Sequence, residues 1–152
     1  MNHKGQFTKI GKSKKRMYGP RALLVCGYPL KERAVLLDMS DKIGLAGTRI
    51  VFASSHNLGT SVGDILTHED KAGLDDVSSM PRAVIMSGLA QNELHNLMAA
   101  YRKEGLSRQI WATLTPVSEK WPLEKLLNEL EAEDRAMRIR KKAERKKNEQ
   151  RQ

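Results

Sequence analysis

Residues 21–54, RALLVCGYPLKERAVLLDMSDKIGLAGTRIVFAS, and residues 82–115, RAVIMSGLAQNELHNLMAAYRKEGLSRQIWATLT, align in register without a gap. Arg21 falls on Arg82, Ala22 on Ala83, Gly27 on Gly88 and Glu32 on Glu93. Leu36 meets Leu97, Lys42 meets Lys103, and Gly44-Leu45 meets Gly105-Leu106. The hydrophobic rhythm holds even where identities fail. Such a repeat reads as one supersecondary unit used twice, each copy burying its apolar face against the other.

Each copy opens with a continuous apolar run, Ala22-Leu23-Leu24-Val25-Cys26 before Gly27 and Ala83-Val84-Ile85-Met86 before Gly88, the signature of a strand buried on both faces. A helix follows. In the second copy Leu94, Leu97, Met98 and Tyr101 fall on one helical face, and in the first Leu30, Ala34, Val35, Leu37 and Met39 make a broader one. Gly44 and Gly105 stand where left-handed caps would end these helices. Second strands follow over Arg49–Ala53 and Gln109–Leu114, rich in β-branched and aromatic residues. Val62, Ile65 and Leu66 superpose on Leu123, Leu126 and Leu127, closing each copy with a helix.

The expected fold is therefore a single α/β domain over residues 21–130, built from a duplicated β-α-β-α unit around a four-stranded sheet. Repeat one spans 21–68, an acidic connection 69–81, and repeat two 82–130. Internal symmetry tips the arrangement toward a ferredoxin-like sheet. The uniformly apolar first strands instead favour a small parallel sheet covered on both faces.

Charge is distributed unevenly. Residues 1–20 hold six bases and no acid, and residues 131–152 hold nine bases against five acids. The segment between them contributes −1 to a total of +9, so the basicity belongs to the ends. Residues 1–20 read as a disordered basic tail. Residues 131–152 read as a charged helical tail protruding from the domain, with favourable Glu131–Arg135 and Asp134–Arg138 spacings and a weak coiled-coil potential. The candidate polyanion-binding residues are Lys12, Lys14, Lys15 and Arg16 in one tail and Arg140, Lys141, Lys142, Arg145, Lys146 and Lys147 in the other. RNA or another polyanion is the expected partner, with a protein partner on the C-terminal helix as a further candidate. Sequence-specific readout has no visible carrier.

Cys26 is the one cysteine, so no intramolecular disulfide forms and a reducing compartment is expected. No apolar run reaches bilayer-spanning length, and MNHKGQFTKIGKSKKR lacks a signal-peptide core. The expected location is the cytoplasm, with no membrane partner. Scattered histidines and a lone cysteine offer no metal-ligand spacing, and no cofactor motif is present.

The most distinctive string is Thr115-Pro116-Val117-Ser118-Glu119-Lys120-Trp121-Pro122 leading into Leu123-Glu124-Lys125-Leu126-Leu127. It resembles the hallmark of an uncharacterised bacterial and archaeal family, the domain of unknown function numbered 3783. The likeness covers residues 82–130, and the first copy is a degenerate echo without the Pro and Trp. In that family's pattern Asn is common where Ser118 stands. The resemblance implies no activity, substrate or cofactor.

Ligand or anion-binding candidates gather at the two strand-end corners. In the first copy they are His56, Asn57, Gly59, Thr60 and Ser61, a polar run entering a helix; in the second, Thr115, Ser118 and Trp121, the indole serving as a stacking wall. Ordinary capping by Asn57, Thr60 or Ser61 accounts for the same residues. Cys26 with His56 is the sole thiol–base combination. Three readings follow. A non-enzymatic cytoplasmic binding module attached to RNA or another polyanion through its basic tails leads. A small-molecule effector-binding regulatory domain and an enzyme using Cys26 and His56 are the alternatives.

Overall fold

Two five-residue strands, apolar but for Ser87, form the middle of the sheet, and every side chain in both is buried. The computed structural model describes residues 15–150. Its elements in chain order are β1 (Ala22–Cys26), α1 (Leu30–Lys42), β2 (Arg49–Phe52), α2 (Val62–Ile65), β3 (Ala83–Ser87), α3 (Gln91–Glu104), β4 (Ile110–Thr113) and α4 (Leu123–Gln150). Short 3-10 turns at Ser55–Asn57 and Ser118–Lys120 precede α2 and α4.

The chain forms one α/β domain around a mixed sheet of order β2-β1-β3-β4. β1 and β3 pair antiparallel at the centre, β2 lies parallel to β1, and β4 lies parallel to β3. Leu23, Val25, Ile50, Phe52, Val84 and Met86 on one face share a core with Leu36 and Met39 of α1 and Leu97 and Tyr101 of α3. Leu24, Cys26, Val51 and Ile85 on the other face share a core with Val62 and Ile65 of α2 and Leu123, Leu126 and Leu127 of α4.

The α/β class and four strands stand as expected, but the arrangement is neither ferredoxin-like nor all-parallel. A ferredoxin-like sheet interlocks its halves and leaves one face uncovered. Here β1 and β3 are apolar on both faces, so both faces need helices and both strands must be central. Each half closes its own parallel pair, and the halves meet through β1 and β3.

Two pairings locate an approximate twofold axis. Leu24 pairs with Ile85 and Ser61 with Pro122, and each pair is also related by the 61-residue offset of the alignment. A residue can face its own counterpart only on such an axis. Around it, Gly27 and Gly88 let the halves cross. Gly27 has φ +76°, and a Cβ there would sit 2.3 Å from the Met80 carbonyl oxygen. Gly88 has φ +65°, and a Cβ there would sit 2.4 Å from the Gly19 carbonyl oxygen.

Residues 16–18, expected within the first tail, are ordered against the domain. Residues 1–14 lie outside the described residues, whereas Arg16 bridges to Ala90, and the Met17 amide donates to the Leu89 carbonyl at 2.8 Å. The Gly88 amide donates to the Tyr18 carbonyl at 3.0 Å, and the Tyr18 hydroxyl donates to Glu119. Few large side chains are needed here, because backbone pairing with residues 88–90 does the ordering.

The connection 69–81 is also more than a surface link. Ile50 and Phe52 of β2 point their outward backbone groups at it. The Ile50 amide donates to Asp70 Oδ1 at 2.8 Å, the Lys71 amide to the Ile50 carbonyl at 2.6 Å, and the Phe52 amide to the Ala72 carbonyl at 2.8 Å. Arg33, 2% exposed, holds this strap by donating to the carbonyls of Tyr28, Gly73 and Leu74. Its guanidinium also lies 5.4 Å from the Phe52 ring centroid.

α4 runs on past the domain. Its 28 residues span about 42 Å. Only Leu123, Leu126 and Leu127 of it are buried, and every described residue from Arg135 onward is exposed.

Candidate functional site

The two strand-end corners meet back to back on the twofold axis. The Val62 amide donates to the Trp121 carbonyl at 2.9 Å, the Leu123 amide to the Thr60 carbonyl at 3.0 Å, and the Glu124 amide to the Leu58 carbonyl at 2.9 Å. Within the first corner the Ser54 amide donates to Asn57 Oδ1 at 2.8 Å, and Ser61 Oγ accepts from the Asp64 amide at 3.2 Å. Within the second, the Thr115 amide donates to Ser118 Oγ at 3.0 Å, and the Ser118 amide returns to Thr115 Oγ1 at 2.9 Å. Asn57 and Ser118 thus serve corresponding caps.

These bonds engage the amides of Ser54, Val62, Asp64, Thr115, Ser118, Leu123 and Glu124. His56 and Gly59 are exposed, and Thr60 is half-buried. Trp121 is half-buried against the core, and the Lys125 ammonium sits 4.6 Å from its ring centroid. The Val62, Leu123 and Glu124 amides fasten the two corners together, while the Asn57, Ser61, Thr115 and Ser118 side chains cap their own turns.

Cys26 and His56 do not form a nucleophile and base. Cys26 is fully buried among apolar side chains of β1, and burial pushes its thiol up to about 12. His56 is exposed in its turn. A thiol held protonated in the core is a small apolar filler.

The exposed charge is organised by α4. Between residues 135 and 147 the helix carries eight bases, Arg135, Arg138, Arg140, Lys141, Lys142, Arg145, Lys146 and Lys147, against the single acid Glu144. All are exposed. Where the arm leaves the domain, Arg108 grips Asp134 with both guanidinium prongs, at 2.5 and 3.0 Å, and Arg138 Nε reaches the same carboxylate at 3.1 Å. Asp134 is only 16% exposed, and the Arg108 hydrogen bonds hold its carboxyl below the usual range. A cleft of about 460 Å³ opens there, with Arg82, Arg108, Arg135 and Arg138 facing Glu131 and Asp134.

Arg108 is not among the sequence candidates, because its partnership with Asp134 spans 26 residues and no local pattern announces it. Arg16 and Arg82 stand at opposite ends of β3. Arg16 Nε donates to the Gly88 carbonyl at 2.9 Å, beyond the end of β3, whereas Arg82 stands before its start. The strand between them spans about 16 Å. Lys15 is exposed, and Lys12 and Lys14 lie outside the described residues. Among the described residues no group of histidine, cysteine or carboxylate side chains could hold a metal ion, and no helix is long and apolar enough to cross a membrane.

The fold and its arm define a single-domain α/β protein with an exposed cationic C-terminal helix. Residues 82–137 match the family described as Domain of unknown function (DUF3783). The match covers β3, α3, β4, the Thr115–Trp121 corner and the start of α4, in agreement with the resemblance read from the Thr-Pro and Trp motif, and it stops one residue short of Arg138. No curated protein and no solved structure matches the chain.

Proposed function

We propose that this chain is a non-enzymatic binding module of the cytoplasm, whose α/β domain holds out a cationic helix to RNA or a similar polyanion. The observation that carries this reading is the exposed run Arg135–Lys147, with eight bases and one acid on a helix continuous with the core. Phosphate contacts from such a run are strong at low salt and blind to sequence. The Arg108–Asp134 clamp fixes where the arm leaves the domain, so its bases are presented at a defined place. Heptad-like positions Ala132, Ala136, Ile139 and Ala143 supply a poor coiled-coil seam, three alanines and one isoleucine, so charge rather than helix pairing is the arm's main asset.

Binding of a structured RNA by the full chain, compared with a full-chain variant carrying Arg140→Gln, Lys141→Gln, Lys142→Gln and Arg145→Gln, tests it. Strong binding at low salt that the variant loses supports the reading. Equal binding by both chains removes the arm from the function.

A further inference from the structure

The two edges of the sheet are not treated alike. Ile50 and Phe52 of β2 are covered by the 70–73 strap, and Arg33 locks the strap down. Their counterparts at the 61-residue offset are Trp111 and Thr113 of β4, and Arg33 corresponds to Leu94. The residues corresponding to the strap, 131–134, are wound into α4 instead. The second half therefore has neither strap nor clamp.

The Ile110 amide donates to the Arg82 carbonyl at 3.1 Å and the Leu114 amide to the Met86 carbonyl at 2.9 Å. Residues 110, 112 and 114 thus face β3, and the backbone groups of Gln109, Trp111 and Thr113 face outward. Among the described residues nothing pairs with those outward groups. Natural edges are guarded by charge, proline, bulges or cover. Gln109-Ile110-Trp111-Ala112-Thr113-Leu114 has no charge and no proline, and α4 is tied to the start of β4 through Arg108 and Asp134.

We propose that β4 pairs antiparallel with β4 of a second copy of this chain, joining two four-stranded sheets into one. A dyad at Trp111 sets Trp111 against its own counterpart and Gln109 against Thr113, which engages every outward N–H and C=O of the three residues. Sliding the dyad to Ala112 would call on Thr115, whose amide is already given to Ser118 Oγ. The strand is uncharged, so it meets its copy without repulsion. A dyad normal to the sheet reverses β4, so the two cationic helices leave at opposite ends. An edge of four residues buries less than the roughly 1,200 Å² of a standard interface, so association is a concentration-dependent equilibrium.

Sedimentation equilibrium of the full chain across a concentration series tests this, beside Thr113→Pro. That substitution removes an outward N–H at an exposed position and leaves the β3 ladder intact. The wild type is expected to rise from 17.1 kDa toward twice that mass, with Trp111 and Thr113 amides exchanging more slowly as concentration rises. Thr113→Pro is expected to stay monomeric with an unchanged circular dichroism spectrum. Should it not fold, Thr113→Lys, which sets two ammonium groups near the dyad, must weaken the dimer in the same way. A wild type monomeric at every concentration overturns the proposal, as does a dimer that survives in a folded Thr113→Pro or Thr113→Lys protein. Slowed Trp111 and Thr113 exchange in a monomer given a foreign extended peptide would assign the edge to another protein, and would also overturn it.

Discussion

Arg82 and Glu32 close a two-pronged ion pair at 2.6 and 3.0 Å, and the pair has a twin in Arg21 and Glu93, both prongs at 2.6 Å. Each arginine stands just before a central strand of one half and grips a glutamate on the helix of the other. Two of the identities that reveal the repeat are therefore the residues that fasten the repeats to each other. Arg82 also lies 4.9 Å from the Tyr28 ring centroid, and Glu93 caps α3 by accepting from the Ala90 amide at 2.9 Å.

These pairs are part-buried, with side chains 17–30% exposed, so they are worth more than surface ion pairs. Urea unfolding of Glu32→Gln, Arg82→Gln and the double variant is expected to give a coupling of about 1–2 kcal/mol, against ~0.5 for an exposed pair. Additive single effects would show that the pair carries no stability.

Acid should loosen the same joints. Hydrogen bonds from Arg82, Arg21 and Arg108 hold Glu32, Glu93 and Asp134 below their ordinary values. A depressed folded-state pKa stabilises the fold above the unfolded value and loses that stability as pH falls through the folded one. Stability should thus decline below about pH 4.3, the ordinary glutamate value. Thermal melts across that window should show a smaller decline for Glu32→Gln with Glu93→Gln than for the wild type. An equal decline would place the acid sensitivity elsewhere.

Cys26 should be inert in the native protein. With the thiol raised to about 12 and no exposed surface, alkylation at mildly alkaline pH must await opening of the core. The labelling rate is expected to follow unfolding as urea is added. Rapid stoichiometric labelling without denaturant would contradict the burial.

Arg33→Met should release the strap. It keeps the apolar stem but leaves the Tyr28 and Leu74 carbonyls without their donor and Gly73 with the Asp76 amide alone, at a cost of about 2–3 kcal/mol. Hydrogen exchange at Ile50 and Phe52 should quicken well beyond that at Val51. Unchanged protection there would mean that the strap stays in place without Arg33.

The α/β class was legible because periodicity is local: the runs Ala22–Cys26 and Ala83–Met86 announce strands covered twice, and the helices between them keep one apolar face. Strand order was not. Which halves of a repeat interlock depends on contacts such as Leu24–Ile85 and Arg21–Glu93, and these reward no nearby residue. The site follows the same division between local and distant contacts. Thr60, Ser61, Ser118 and Trp121 stand out in the sequence as small polar and aromatic residues at strand ends, whereas in the fold the Thr60 and Trp121 carbonyls join the corners and the Ser61 and Ser118 hydroxyls cap their own turns. The bases of α4 were visible as composition, while the Arg108 clamp that positions them joins parts of the chain that only folding brings together.

The central claim is that the α4 arm carries polyanion binding. Its most direct test is the salt dependence of RNA and duplex DNA binding by the full chain and by the four-glutamine arm variant. If six arm bases, these four among them, neutralise phosphates, the wild-type log–log slope on duplex DNA should be about −5, and the variant's should be shallower by about 4. Identical slopes for the two chains, or wild-type binding that ignores salt, would contradict the account.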